Sequence, residues 1–442
     1  MARPAAGAGR QAAVAGLLLA TLAAACANQG EPPGGPPHTK PPVIVRTVPE
    51  SGTIVPDLKG DAVIEFDEVI EEMPSSAGPQ GAISGLAAKV VLSPVAGEVK
   101  VSWHRHAIHV KPAEGWRPNR AYHLELLPGI VDLRHNATKQ RTLIPFSTGA
   151  PLPSAILSGT ALAWVEQRAV PQAVIRAEPL PDTAAYVTIA DSVGDFRLTD
   201  IPAGRYRVWA IQDQNNNRRA DRREAFDTVS VTLDSSASAV LWTFVHDSVG
   251  PRLRGVEPLD STAFRLVFTQ ALDPRQPLDT ARVRLFALPD TTPLRVTALL
   301  GAARYDSLAA RARAVADSLR RAHDTTQARR DTLRARAAPP PAGARAPVAG
   351  GGARPPRRDT TAARVDTTRT HRLLQQRPVP SERLVVQTAV ALTPGAKYLV
   401  RVRGATNLNG ATADAQGVLV VPVPPKPAVR DTTKAKAKPK PP

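Results

Sequence analysis

Oxygen-bearing side chains crowd into one stretch of the chain, DQNNNRRADRRE, residues 213 to 224. Asp213, Asn215, Asn217, Asp221 and Glu224 occupy positions 1, 3, 5, 9 and 12, and the Arg219 carbonyl falls at position 7. That is the spacing with which a twelve-residue loop wraps a hard cation such as calcium. Position 6, where the loop's sharp turn favours glycine, is Arg218, and Arg219, Arg222 and Arg223 add further positive charge. Calcium affinity is therefore expected to be weak, ~10⁻⁴ to 10⁻³ M. The same residues also read as a polar turn whose Asx side chains bond their own backbone. A second cluster, WHRHAIH, sets His104 and His106 on one face of a strand with His109 beyond a turn. Two imidazoles at i and i+2 can share a metal, but no Cys or carboxylate is arranged beside them, which favours a solvated strand edge. The chain carries no G-x-S-x-G, H-E-x-x-H, P-loop or dinucleotide fingerprint. No enzyme and no cofactor beyond weak calcium is expected.

The one cysteine, Cys26, poses a different question. It ends the run LLLATLAAAC, after the cationic Arg3 and Arg10 and an apolar stretch from Ala12 to Ala25. Such a stretch suits a signal peptide and is too short to span a bilayer as a helix. With one thiol no intramolecular disulfide forms, so Cys26 serves better as an attachment point than as a structural group. The Ala23-Ala24-Ala25-Cys26 sequence resembles the lipobox of bacterial lipoproteins, with Ala23 where that pattern usually has Leu. The resemblance implies a diacylated Cys26 at the mature N-terminus and a membrane-tethered envelope protein. Ala27, rather than Asp, resembles lipoproteins sorted to an outer membrane.

The formal charge of +18 over 442 residues first suggests an anion-binding protein. It is not spread evenly. Residues 301–380 hold 17 Arg against 6 Asp, and residues 426–442 hold five Lys and one Arg against one Asp. With the signal's two arginines set aside, the remainder is balanced, so the basic character resides in an insertion and a tail. Neither interleaves aromatics for base stacking, so no nucleic acid is expected. Anionic envelope polymers or another envelope protein are the expected partners.

The elements that must position these groups read as β-strands. From about residue 42, short β-branched runs are broken by Pro, Gly, Ser and Asp every 8 to 12 residues, the rhythm of a β-sandwich. The fold class is mainly β: tandem sandwiches, with a helical and disordered insertion in the last. Residues 42–150 resemble the bacterial Ig-like domain of S-layer and other envelope proteins. The resemblance rests on the Pro118-Asn119 turn, Tyr122, the loop from Asp132 to Asn136 and the closing Phe146-Ser147-Thr148-Gly149. A second copy occupies 250–300 and 381–424, aligning Tyr398 with Tyr122 and Asn407-Leu408-Asn409 with the Asp132 loop. It is split by 301–380, which replaces a hairpin turn of the first copy. Residues 304 to about 338 lack Pro and Gly and favour helix; residues 339–370 bury too little to order themselves.

Between the copies, residues 155–247 resemble a carboxypeptidase-regulatory or prealbumin-like domain through Gly194-Asp195-Phe196 and Ile201-Pro202-Ala203-Gly204-Arg205-Tyr206. That resemblance implies a non-catalytic adaptor. The remaining segments are the signal, 1–25, a Gly/Pro linker, 26–41, and the Lys/Pro tail, 425–442. Together these readings predict a lipid-anchored, non-catalytic scaffold in the bacterial envelope. The rival is a surface polysaccharide-binding module or adhesin, which needs an exposed aromatic platform. Its candidates, Trp103, Trp116, Trp164, Trp209 and Trp242, are scattered over different strands as core residues would be.

Overall fold

A computed structural model describes residues 39–75, 78–182, 184–335 and 367–423. The stretch expected to be a signal peptide, Cys26, most of the expected 26–41 linker, residues 336–366 and the tail from 424 lie outside the described residues. The chain is mainly β and builds three separate hydrophobic cores in succession.

The first module contains strands β1 (Ile44–Val48), β2 (Ala62–Phe66), β3 (Val90–Ser93), β4 (Val99–His104), β5 (Ala107–Pro112), β6 (Ala121–Leu126) and β7 (Thr142–Ser147), with a one-turn helix α1 (Gly85–Lys89) before β3. A four-stranded sheet, β1-β2-β5-β4, faces a three-stranded sheet, β3-β6-β7. Alternation fixes which residues point inward: Ala62, Ile64 and Phe66 of β2 are buried and Val63 and Glu65 only partly. Their partners Ile108, Val110, Tyr122, Leu124 and Phe146 complete the core.

The middle module runs β8 (Ala155–Ala163), β9 (Arg168–Ala169), β10 (Val174–Pro179), β11 (Tyr186–Ile189), β12 (Asp195–Ile201), β13 (Gly204–Ile211), β14 (Ala225–Leu233) and β15 (Ser236–Val245). The strand order is β11-β10-β13-β14-β15-β8-β12, with β9 on β8. β15 and β8 pair in parallel over Ser236 to Thr243, whereas β14 meets β15 only at Ala225–Val245 and Phe226–Phe244. At that narrow junction the sheet folds over on itself, so Val208, Ala210 and Tyr206 pack against Leu157, Leu198 and Leu241. Gly194 makes the turn into β12 with φ +80; a Cβ there would come within 2.7 Å of the Ala161 carbonyl.

The last module comprises β16 (Leu253–Pro258), β17 (Ala263–Leu272), β18 (Val283–Ala287), β19 (Thr292–Leu294), β20 (Val296–Gly301), helices α2 (Ala302–Ala335) and α3 (Thr367–Leu374), then β21 (Ser381–Thr388), β22 (Lys397–Thr406) and β23 (Thr412–Val420). Its sheet β16-β17-β21-β20 repeats the order of β1-β2-β5-β4, and β18-β22-β23 repeats β3-β6-β7 with β19 added at the edge. The repetition extends to single hydrogen bonds. Tyr122 Oη accepts from the Arg117 amide at 2.9 Å, and Tyr398 Oη from the Thr393 amide at 2.8 Å, each five residues upstream. Asp132 Oδ1 accepts from the amides of Arg134 and Asn136; Asn407 Oδ1 accepts from those of Asn409 and Ala411.

Helices α2 and α3 leave the β20–β21 edge where the first module has only the Arg105-His106 turn between β4 and β5. Leu308, Val315 and Leu319 on α2 are exposed, and Tyr305 holds its base by donating to Asp260 Oδ2 at 2.7 Å. The helix α3 includes residues 367–370, which the Pro/Gly/Arg/Thr composition placed in an unordered tract. Its Leu373 and Leu374 pack on Leu162, Trp164 and Trp242 of the middle module, and that external surface provides the burial the segment's own composition lacks.

Candidate functional site

The Asp213–Glu224 loop connects β13 to β14 and closes on itself through its own polar groups. Asp213 accepts from the amides of Asn217 and Arg218, at 3.1 and 2.7 Å, and Glu224 accepts from those of Gln214 and Asp221. Asn215 and Asn217 accept from the amides of Asn217 and Arg219, and both donate their side-chain NH2 groups to Asp221 Oδ2, at 2.7 and 3.0 Å. The five residues selected by spacing do converge. They converge as donors and acceptors for one another, with amide hydrogens turned toward Asp221 where a cation would need oxygens. Among the described residues, no group of three or more His, Cys, Asp or Glu is arranged to hold a metal ion.

Arg218, the residue least suited to a calcium loop, is what connects the loop to the rest of the chain. Its backbone sits in the left-handed region, φ 56, which swings the side chain out of the loop toward the first module. There the guanidinium donates to the carbonyls of Val90 and Ala88 at 2.7 and 2.8 Å, and more distantly to Ala87. The helix α1 is too short to satisfy its last carbonyls internally, so Arg218 serves as its C-terminal cap. The Asn216 carbonyl meanwhile accepts from the Ile83 amide at 2.9 Å. Burial pulls the Arg218 guanidinium down to about 10, against the attraction of Asp213 and Glu125, and leaves it charged at neutral pH.

Glu125 lies a little further along the same seam. This buried carboxylate on β6 pairs with Arg141 at 2.9 Å and accepts from the Thr188 hydroxyl at 3.0 Å; Arg141 also donates to Thr188 and to the Ile189 carbonyl. Burial pushes the Glu125 carboxyl up, and Arg141 only partly offsets this. Beyond it, His123 is buried against Tyr186, with Nε2 2.9 Å from the Asp200 carbonyl, and desolvation pulls its pKa down from the usual 6.5. Arg120 and Asp182 pair at 2.7 Å at the rim, and Ser93 accepts from the Val187 amide. Sequence reasoning missed Glu125, Arg141 and His123. Their only local signal was charge on a β6 run that otherwise reads as core, AYHLEL, all six residues of which are buried.

The histidine cluster is arranged differently from its sequence reading. His104 ends β4 and His106 lies in the turn, where Arg105 at φ 52 reverses the chain, so these two do not share a strand face. His104 instead meets His109 across the hairpin, ring centroids 4.3 Å apart, and His109 Nδ1 is 3.7 Å from Asp61.

The tryptophans divide by role. Trp103 and Trp116 line the first core and donate to the carbonyls of Ile70 and Gly60. Trp164 and Trp242 form the seam with the last module: Arg377 lies 5.4 and 5.2 Å from their ring centroids, and Trp164 donates to the Pro378 carbonyl. Asn407 reinforces this seam by donating to the Asp247 carbonyl at 2.8 Å. Trp209 sits on β13 beside Phe226, ring centroids 5.7 Å apart.

Residues 38–148 match the model of the bacterial Ig-like domain. No curated protein matches the chain. Among solved structures, the BcpA major pilin subunit of Bacillus cereus is 9% identical, with 45% of this chain and 67% of that one covered and a TM-score of 0.17. A putative carbohydrate binding protein from Bacteroides uniformis is 10% identical, covering 61% of this chain and 100% of that one, TM-score 0.17. The chicken CNTN1 FN1-FN3 domains are 9% identical, covering 88% and 100%, TM-score 0.14.

Proposed function

We propose that this chain is a non-catalytic, lipid-anchored scaffold of the bacterial cell envelope, which holds three β-modules in a fixed row at the outer membrane. The observation that carries this reading is the use made of its polar side chains. Arg218, Glu125, Arg141 and His123, the groups best placed for chemistry, all bond across the seam between the first two modules. A side chain fixed in that way serves positioning rather than turnover. The bacterial Ig-like domain at 38–148 agrees with such a role, and the middle module is read as a carboxypeptidase-regulatory or prealbumin-like adaptor. No helix among the described residues is long and apolar enough to cross a membrane. Attachment is assigned to acyl chains on Cys26, because Ala23-Ala24-Ala25-Cys26 resembles a lipobox, at ~0.8 kcal/mol per buried CH2. The linker lifts the modules from the lipid, and the basic insertion and tail face anionic envelope polymers or a neighbouring envelope protein.

The test is Cys26→Ser in the native host. The unmodified protein is expected in the outer-membrane fraction with acyl mass at its N-terminus, and the variant in the soluble fraction without it. A variant that still fractionates with membranes, at a mass differing only by the substitution, overturns the anchor.

A further inference from the structure

Beside the clasp formed by Arg218, the seam encloses a cleft of about 500 Å3. Pockets of ~300 to 1,000 Å3 at domain junctions are where small ligands characteristically bind. One wall comes from the first module, with Lys89 and the Leu127-Pro128 turn; the other comes from the middle module, with Arg168, Gln172 and Gln214. Lys89 reaches the cleft by lying over Gly129, whose φ is +99; a Cβ there would stand 2.8 Å from its Nζ. Neither Lys89 nor Arg168 pairs with a carboxylate among the described residues. The lining carboxylate, Asp213, spends both oxygens on backbone amides. The cleft thus holds two uncompensated cations on opposite walls.

The remaining lining specifies the ligand further. The exposed carboxamides of Gln172 and Gln214 offer both donors and acceptors, which suits hydroxyl groups, while the exposed rings of Pro128 and Pro171 present apolar surface. Nine non-glycine residues take a left-handed backbone among the described residues, and Gln172, Asn216 and Arg218 of this lining are three of them. Such conformations persist where surrounding structure enforces them, and they gather at binding sites.

We propose that this cleft binds a short carboxylated saccharide through charge and hydrogen bonds, without the aromatic platform a polysaccharide surface uses: its carboxylate is held between Lys89 and Arg168 and its hydroxyls by Gln172 and Gln214. The inference does not depend on the scaffold reading, since an anchored or an unanchored chain contains the same cleft.

The experiment is titration calorimetry of the mature chain, made soluble by Cys26→Ser, with a galacturonate trimer and with maltotriose as its neutral counterpart at physiological salt. The acidic trimer is expected to bind and maltotriose not to. Lys89→Ala and Arg168→Ala should each weaken binding about tenfold while leaving the ligand-free melting temperature unchanged. The proposal is overturned if the acidic trimer fails to bind the unmodified cleft, or if maltotriose binds equally well. Full binding by the Lys89→Ala, Arg168→Ala double variant also overturns it, by assigning the trimer to the basic insertion or tail.

Discussion

Replacing Arg218 with Ala tests the central structural argument, that a loop with calcium-like spacing works as a clasp between modules. The guanidinium makes two short hydrogen bonds to carbonyls of the first module, 2.7 and 2.8 Å. Hydrogen bonds from a charged donor contribute ~1.5 to 3 kcal/mol each. Two effects offset the loss: water reaches some of the freed carbonyls, and the burial that depresses the Arg218 pKa is relieved. A net loss of about 2 to 3 kcal/mol at the seam follows. Arg218→Lys keeps the charge but not the fork, and should fall between. Arg218→Gly removes the same contacts yet relaxes the left-handed backbone at φ 56, so it should be about 1 kcal/mol more stable than the Ala variant. The assay is calorimetric unfolding of the chain, combined with hydrogen exchange at the amides from Ile83 to Val90. Arg218→Ala should lower the transition of the first two modules and speed exchange there, while the last module stays as it was. Unchanged exchange around α1, or a Lys variant as stable as the parent, refutes the capping role.

The remaining predictions probe the other polar groups and the insertion. His123 is held neutral by burial, so its folded pKa lies below its unfolded value of 6.5. The unfolded chain then binds more protons below pH 6.5, and stability falls as the pH is lowered from there through the folded pKa; His123→Gln should flatten that part of the melting-temperature profile. Melting in EDTA and in millimolar calcium should coincide, because the Asn215 and Asn217 amides and Asp221 already satisfy one another; a calcium-induced rise abolished by Asp213→Ala with Asp221→Ala would restore the metal reading. Deletion of residues 308–366 should leave the cooperative transitions in place, as Leu308, Val315 and Leu319 of α2 are exposed. In contrast, Leu373→Ala with Leu374→Ala should cost about 1 kcal/mol per half-buried leucine at the Trp164/Trp242 seam. A large loss of heat capacity change on deleting 308–366 would show that α2 packs as structure.

Much of the fold was legible because sandwiches advertise themselves locally. Alternation in AVIEF and the paired Tyr122 and Tyr398 follow from contacts within a few residues or across one hairpin. The Asp132 and Asn407 turns are equally local, each oxygen gathering amides two and four residues on. The same locality explains what was obscure. Spacing in DQNNNRRADRRE correctly brings five polar side chains together, but their chemistry is decided by Arg218, whose acceptors lie in the first module and have no mark in the sequence. Helix α3 is likewise invisible to composition, because its order depends on Trp164 and Trp242, far back in the middle module. In WHRHAIH, one residue at positive φ re-pairs the histidines, and periodicity does not register a turn of that size.

The two seams differ in kind, and that difference bears on how the row of modules responds to force. The first is polar, with ion pairs and charged hydrogen bonds in partly desolvated surroundings. Such contacts are directional and fail when displaced by about an ångström, so they fix orientation more firmly than they add stability. The second seam is mainly aromatic and aliphatic, with Leu373, Leu374 and Arg377 laid on Trp164 and Trp242, and a few polar contacts, Trp164 to Pro378, Asn407 to Asp247 and Arg369 to Asp195, lie beside that apolar patch. Apolar contact is non-directional and tolerates sliding. Strain applied along the row, as the proposed anchor and partner would apply it, should therefore separate the middle and last modules gradually, while the first two move as one body until the Arg218 clasp gives way. Placing α3 at the compliant seam also ties the basic insertion to it, so that a partner binding residues 301–380 would act directly on the joint that yields first.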